Sequence, residues 1–286
     1  MTANRYGALL DAVRGVHWPA RRPVASAAAG AHQSKTRGTS AEFTEYRLYR
    51  QGDDPRRLDW RLLARSDRAY IRLATDRAIL PTILVVDTSA SMAYPTLSRA
   101  KWSCAQQIAV ALAAVAHGYG DPVGVAVHDT AGRLRVLPPR TRRTVVDEIA
   151  RVIDAADPDG LEPLAPVIAG LRAPRVVVIS DLLGDADEML RAASVRMAGG
   201  AEAHVVHIVA LEELEPPRRP LLAADPEAPG IQRVLTESTR RDYQRDFGEW
   251  RREMARLWRR SGASFTEVVT DEPIAHAVRR IAGVAA

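Results

Sequence analysis

Pro81-Thr82-Ile83-Leu84-Val85-Val86-Asp87 is an apolar run closed by an acid. A strand with one face in water alternates apolar and polar side chains. This run does not alternate, so it reads as a strand buried on both faces, the habit of parallel sheets covered by helices. Arg175-Val176-Val177-Val178-Ile179-Ser180-Asp181 repeats the pattern. Between and after these runs lie apolar-rich or amphipathic segments of helical length: Ser98–His117, Thr141–Ala155, Pro163–Leu171 and Ala186–Met197. Further strands are expected at Val123–His128, Arg133–Leu137, His204–Leu211 and Ser264–Val269, the first two joined as a hairpin through Asp129-Thr130-Ala131-Gly132. Glu237–Arg260 is a long charged helix, with Tyr243, Phe247, Trp250, Met254 and Trp258 at helical spacing as a packing face, and Pro273–Ala282 is a last helix. The alternation predicts a doubly wound α/β domain with a mostly parallel sheet over residues 79–286.

Ahead of it, residues 1–78 read as an N-terminal arm and an arginine-rich segment. A short helix is expected at Arg5–Val13, a loop or arm from Pro19 to Ser40, a short helix from Asp59 to Arg65 and a strand at Ala69–Leu73. Residues 212–235 hold five prolines and read as a long surface loop.

The 286 residues are 47% hydrophobic and 26% charged, which suits a globular chain with a sizeable core. The net charge of +5 would suit nucleic acid, but Lys35 and Lys101 are the only lysines among 40 basic residues. That imbalance points to compositional bias rather than to a basic binding face. The single cysteine, Cys104, excludes an intrachain disulfide and sits in an apolar helical stretch. The first residues lack the apolar core of a secretory signal, and the longest apolar run, Ile108–Ala116, falls short of a membrane span, so a cytoplasmic chain is expected.

The chemistry-bearing stretch is Asp87-Thr88-Ser89-Ala90-Ser91. An acid followed by hydroxyls two and four residues on, at the carboxyl end of a strand, gathers the small hard oxygens that suit a divalent cation. In a doubly wound sheet, ligands bind where the strand order reverses. If the strands ending at Asp87 and Asp181 flank that point, the two carboxylates converge, and they repel unless a cation or a proton intervenes. The alternative is that both acids cap the helices that follow. An acid after a buried strand also opens the haloacid-dehalogenase phosphotransferases. Their second acid would fall where Ser89 stands, and no nucleophile elbow, phosphate loop or zinc motif accompanies it. His204 and His207 are the one histidine pair at ligand-like spacing, and their alternation on a strand puts them on opposite faces as structural residues.

The segment Glu45-Tyr46-Arg47-Leu48-Tyr49-Arg50-Gln51-Gly52-Asp53-Asp54-Pro55-Arg56-Arg57-Leu58-Asp59-Trp60 is very similar to the hallmark of DUF58 proteins. The resemblance continues through Ala64-Arg65, Tyr70-Ile71-Arg72, the Asp87–Ser91 motif, Ser180-Asp181, Glu212/Glu213 and the charged helix with Tyr243. It implies a fold of von Willebrand A (Rossmann-like) type, no established catalytic activity, and a protein–protein interaction module. It also implies frequent pairing with a MoxR-type AAA+ ATPase in assembly or maturation of client proteins. The implied cation, Mg²⁺ first and Mn²⁺ or Ca²⁺ next, would be held by Asp87, Ser89, Ser91 and Asp181. The family's third loop usually supplies a Thr. This chain has Asp157-Pro158-Asp159-Gly160-Leu161-Glu162, so Asp159 or Glu162 would substitute, or the metal site is degenerate and the fold serves protein contacts alone. Arg47, Gly52, Asp53, Asp54, Pro55, Arg56, Arg57, Asp59 and Trp60 are the signature residues of the hallmark. The alternation of Arg47, Arg50, Arg56, Arg57, Arg61 and Arg65 with Asp53, Asp54 and Asp59 reads as an ion-pair clasp between the N-terminal segment and the main domain, with Trp60 as a packing anchor, or as a partner surface.

Overall fold

The structure is a computed structural model that describes residues 3–21, 29–33, 43–51, 53, 55, 58–66, 68–74, 77–218, 221–224, 230 and 232–283. The chain divides into two compact units, residues 1–18 with 81–286, and residues 19–80.

The larger unit is built on a six-stranded sheet. Its strands are β1 (Thr82–Val86), β2 (Val123–His128), β3 (Leu134–Arg140), β4 (Arg175–Ser180), β5 (Glu202–Val209) and β6 (Ser264–Val269). The order across the sheet is β6-β5-β4-β1-β2-β3, with β3 antiparallel to β2 and all other pairs parallel. The order reverses between β1 and β4, the pair that carries Asp87 and Asp181 at its carboxyl ends.

Alternate residues of each inner strand enter two separate cores. Leu84, Val86, Val125, Val127, Val177 and Ile179 face one side. There they meet α1 (Ala3–Ala12), α2 (Ala100–Gly118), α3 (Val145–Asp154) and α7 (Ile274–Ile281). Ile83, Val85, Ala126, Val176 and Val178 face the other side, against α4 (Ala165–Gly170), α5 (Ala186–Ala198) and α6 (Glu237–Arg260). This is a mostly parallel sheet with helices on both sides, as the non-alternating runs require. Among the described residues no helix is long and apolar enough to cross a membrane. Cys104 is a free thiol buried in α2, and burial pushes its pKa up to about 12.

Several expectations need correction. The first eighteen residues belong to the larger unit, not to a separate arm. Tyr6 donates a hydrogen bond to Asp154 on α3 at 2.7 Å, and Trp18 is buried beneath the Arg175 guanidinium, 4.4 Å from its ring centre. The stretch from Pro19 to Ser40 contains a strand, Ala29–Gln33, paired with Arg77–Ala78. Residues 212–235 are not all loop: Leu211–Leu214 is a short helix, and Leu221–Ala224 pairs with Gln232–Leu235. β3 runs on through Pro138 and Pro139 to Arg140, because an edge strand loses nothing when a residue without an N–H faces outward.

The aromatic side of α6 does pack. Trp258 is fully buried, Tyr243 stacks on Phe247, and His207 of β5 meets Trp250 edge-on. His204 lies on the opposite face, edge-on to Trp18. Arg251 of α6 grips Glu267 of β6 with two hydrogen bonds at 2.9 and 2.5 Å, and His207 stands 3.5 Å from the same carboxylate. Burial opposes ionisation of Glu267, but the pull of His207 and of the Arg251 fork outweighs it and holds the carboxyl at about 2. A depressed acid adds stability above its unfolded pKa, near 4.5 here, and loses it as pH falls through the folded value. Partial exposure screens the group, leaving a contribution of about 1–2 kcal/mol. Stability should therefore drop as pH falls from about 4.5 towards 2, and Glu267→Gln should flatten that part of a denaturation profile. A variant with the wild-type profile would remove the role.

Candidate functional site

β1 delivers Asp87 at its carboxyl end, where the backbone N–H of Asp87 still donates to Ile179 of β4 at 2.9 Å. The side chain is buried and fully engaged. One carboxylate oxygen accepts from the Ser89 N–H at 2.9 Å, and the other from the Ser180 hydroxyl at 2.5 Å. Ser91 is buried in the one-turn helix Ala90–Ala93, and its Oγ lies 3.0 Å from Ser89 Oγ. The acid and the two hydroxyls expected to converge do so.

Asp181 is buried one residue beyond β4. Its Oδ1 accepts from the Leu183 N–H at 3.2 Å, across Leu182, whose φ of 59° turns the chain sharply. Its Oδ2 accepts from Lys101 Nζ at 2.9 Å. Lys101 stands in the first turn of α2, is 0% exposed, and also meets Glu213 Oε1 at 2.5 Å. The other oxygen of Glu213 accepts from the Ala210 N–H at 2.7 Å, which fixes the short helix after β5. The Tyr94 ring completes the surround, its centre 5.6 Å from Nζ.

Burial, and then the charge of Asp181, push the Asp87 carboxyl up to about 6. Burial works against the Lys101 ammonium, but Asp181 and Glu213 outweigh it and raise the lysine above its ordinary value. The positive charge is therefore held in place.

The third loop docks through its backbone. Gly160 N–H donates to Thr88 carbonyl, and Ala90 N–H donates to Gly160 carbonyl, both at 3.0 Å. Arg99, in the left-handed region at φ 50°, pairs with Asp157 and ties the same loop to the start of α2. Asp159 is exposed. Glu162 accepts from the Leu161 N–H at 3.1 Å, and its carboxylate fills the space beside Gly132 and Gly160. It is the Gly160 backbone that seats the loop on the Asp87 segment. Among the described residues no cluster of three or more His, Cys, Asp or Glu side chains is arranged to hold a metal ion. Each of the four carboxylate oxygens of Asp87 and Asp181 already accepts a hydrogen bond, one of them from an ammonium. The oxygens of Asp87, Ser89 and Ser91 gather at the end of β1, while Asp181 at the end of β4 is paired with the Lys101 ammonium.

In the smaller unit, Phe43–Leu48 pairs antiparallel with Tyr70–Ala74, and Trp60–Ser66 forms a short helix. Arg47 donates to both oxygens of Asp53 at 2.7 and 2.9 Å, and Tyr46 donates to Asp59 at 2.8 Å. Arg47 and Asp53 thus pair within the smaller unit. Pro55 is exposed. Trp60 is 64% exposed, so it is not a packing anchor: its neighbour Asp59 caps the helix by accepting from Arg61 and Leu62, which leaves Trp60 on the outer side. Gly52, Asp54, Arg56 and Arg57 lie outside the described residues.

Residues 45–253 match the family described as "Protein of unknown function DUF58". The chain belongs to the DUF58 family. Uncharacterized proteins of Mycobacterium tuberculosis and Mycobacterium bovis are each 31% identical to it over 280 residues, covering 88% of this chain and 82% of theirs. Among solved structures it is similar to an aerotolerance-related membrane protein from Bacteroides fragilis, with a TM-score of 0.45 and 16% identity over 70% of this chain and 95% of that one. It is also similar to the conserved hypothetical protein BatB from Bacteroides thetaiotaomicron, with a TM-score of 0.42 and 15% identity over 71% and 96% of the two chains.

Sequence reasoning missed the lysine of this DUF58 site. The signal was available: one of only two lysines in an arginine-dominated chain, at the start of an apolar-rich helix. A cation in the first turn opposes the helix dipole and needs a compensating anion nearby. Ser180, which holds Asp87, was read only as the neighbour of Asp181.

Proposed function

We propose that this DUF58 chain is a non-enzymatic protein-binding module of von Willebrand A type that acts with a MoxR-type AAA+ ATPase in the assembly or maturation of other proteins. One observation carries the reading. The segments at the Asp87 edge present exposed leucines: Leu97 after β1, Leu161 on the docked third loop, Leu183 after β4 and Leu211 after β5. Leucines left exposed on segments that meet at one strand edge offer apolar surface that another protein can cover. The polar groups between them are spent on holding those loops together, which suits a rigid docking edge better than a reacting centre. The exposed Trp60, Leu48 and Tyr46 offer a second contact on the smaller unit.

The test is a binding titration between the full chain and the MoxR-type ATPase of its own source, run in chelator and again in Mg²⁺. Leu161→Asp and Leu183→Asp change only exposed side chains and should leave melting unaltered. Each should weaken binding at least tenfold, about 1.4 kcal/mol. Undiminished binding in both variants would remove this edge from the interface. Aryl phosphate turnover lost in Asp87→Asn would favour a phosphotransferase instead, and affinity for nucleic acid falling steeply with salt would favour a nucleic-acid binder.

A further inference from the structure

We propose that the Lys101 ammonium is the resident cation of this site, so that the loops at the carboxyl edge stay assembled without a divalent metal. The inference concerns the cohesion of the site itself and does not rest on the binding-module reading.

The first argument is connectivity. Lys101 opens the helix that follows β1, Asp181 follows β4, and Glu213 lies in the short helix after β5. One buried ammonium, at 2.9 Å from Asp181 Oδ2 and 2.5 Å from Glu213 Oε1, therefore ties together the segments beyond three strands. Cross-linking loops through their acids is the task a bound divalent ion would otherwise perform.

The second argument is charge. Buried carboxylates converging at one sheet edge repel unless a positive charge stands among them. Here the charge is covalently part of the chain and needs no ion to be captured from solution. A divalent ion coordinated through Asp181 Oδ2 would have to displace Lys101 or share that oxygen with it. Displacement would strand an ammonium that is 0% exposed, which is costly because a buried charge without its partner has neither water nor a counter-ion.

The third argument is residue choice. Only two of the 40 basic residues in this chain are lysines. Composition alone would place arginine at position 101. An ammonium is a compact point charge with three donors that radiate from one atom, whereas a guanidinium spreads its donors along the edge of a flat fork. At position 101 two carboxylates converge on a single nitrogen, at 2.9 and 2.5 Å, beside the Tyr94 ring, which suits the former.

Calorimetric titration of the full chain with Mg²⁺, Mn²⁺ and Ca²⁺, after chelator treatment, tests the proposal. The expected result is no saturable site that depends on Ser89 or Asp181, and the same melting temperature in chelator and in each metal. A site whose affinity falls at least tenfold in Ser89→Ala or in Asp181→Asn overturns it. Lys101→Ala removes the built-in cation and leaves Asp181 and Glu213 facing a vacated space. In that variant each divalent ion should raise the melting temperature by about 5 °C or more, while the wild type stays unmoved. A Lys101→Ala protein as stable as wild type and indifferent to metal also overturns it. If Lys101→Ala does not fold, the wild-type titration still decides. Binding of the ATPase in chelator reports separately on the contact surface, so the two readings can fail independently.

Discussion

Arg175→Ala should destabilise the larger unit by about 3–5 kcal/mol, the range for breaking a buried ion pair on one side only. Arg175 opens β4 and is 0% exposed. Its Nε lies 3.4 Å from Glu202, and Nη1 lies 4.0 Å from Asp121. Both Nη atoms donate to the Trp18 carbonyl at 3.4 Å, and the guanidinium stacks on the Trp18 ring. Truncation leaves two buried carboxylates without their cation and removes the stacking that holds Trp18. Arg175→Lys should recover little, since an ammonium can neither stack flat on the indole nor fork. Equilibrium denaturation gives the magnitude. A loss below about 1 kcal/mol would mean that the acids and Trp18 are held by other means.

Gly124→Ala should cost about 3 kcal/mol or more, at the upper end of what inserting one methyl group does to a packed interior. A Cβ at Gly124 would stand 2.2 Å from the Leu137 carbonyl oxygen and 2.7 Å from backbone atoms of Pro138 and Pro139. None of these atoms is the tip of a flexible side chain, so the only relief is to push β3 away from β2. The pairing is already irregular here, with a register shift between Val123 and Val125. A glycine inside a strand commonly marks such a close backbone approach. Hydrogen exchange should show Leu134–Val136 losing protection together with the global loss of stability. A variant within about 0.5 kcal/mol of wild type would show that β3 can shift freely.

How far the sequence alone reaches differs from element to element. The inner strands were legible because burial on both faces leaves a local mark, a run without alternation. α6 and β6 match their expected bounds, since the charged helix and the strand after it are separated by Ser261-Gly262, a plain break. Asp87, Ser89 and Ser91 are legible as a group because their spacing is local, and strand order puts Asp181 at the end of the adjacent strand. Lys101 was not, for its role appears only when a helix start is brought beside an acid 80 positions away. Trp18 escaped for the same reason, its partner Arg175 lying 157 positions on. Asp159 and Glu162 were chosen by charge, whereas the loop that carries them is seated by the backbone of Gly160, which no side-chain pattern announces.

The two anchors at Arg175 also fix where the smaller unit leaves and rejoins the rest of the chain. The Arg175 side chain donates to the carbonyl of Trp18, the last residue before the excursion, and its backbone N–H donates to the carbonyl of Pro81, the first residue after it, at 3.1 Å. Exit and return therefore stand within the reach of one arginine. A short linker in place of residues 19–80 would join Trp18 to Pro81 without removing any strand of the six-stranded sheet. During synthesis Trp18 must wait until β4 has emerged to receive it.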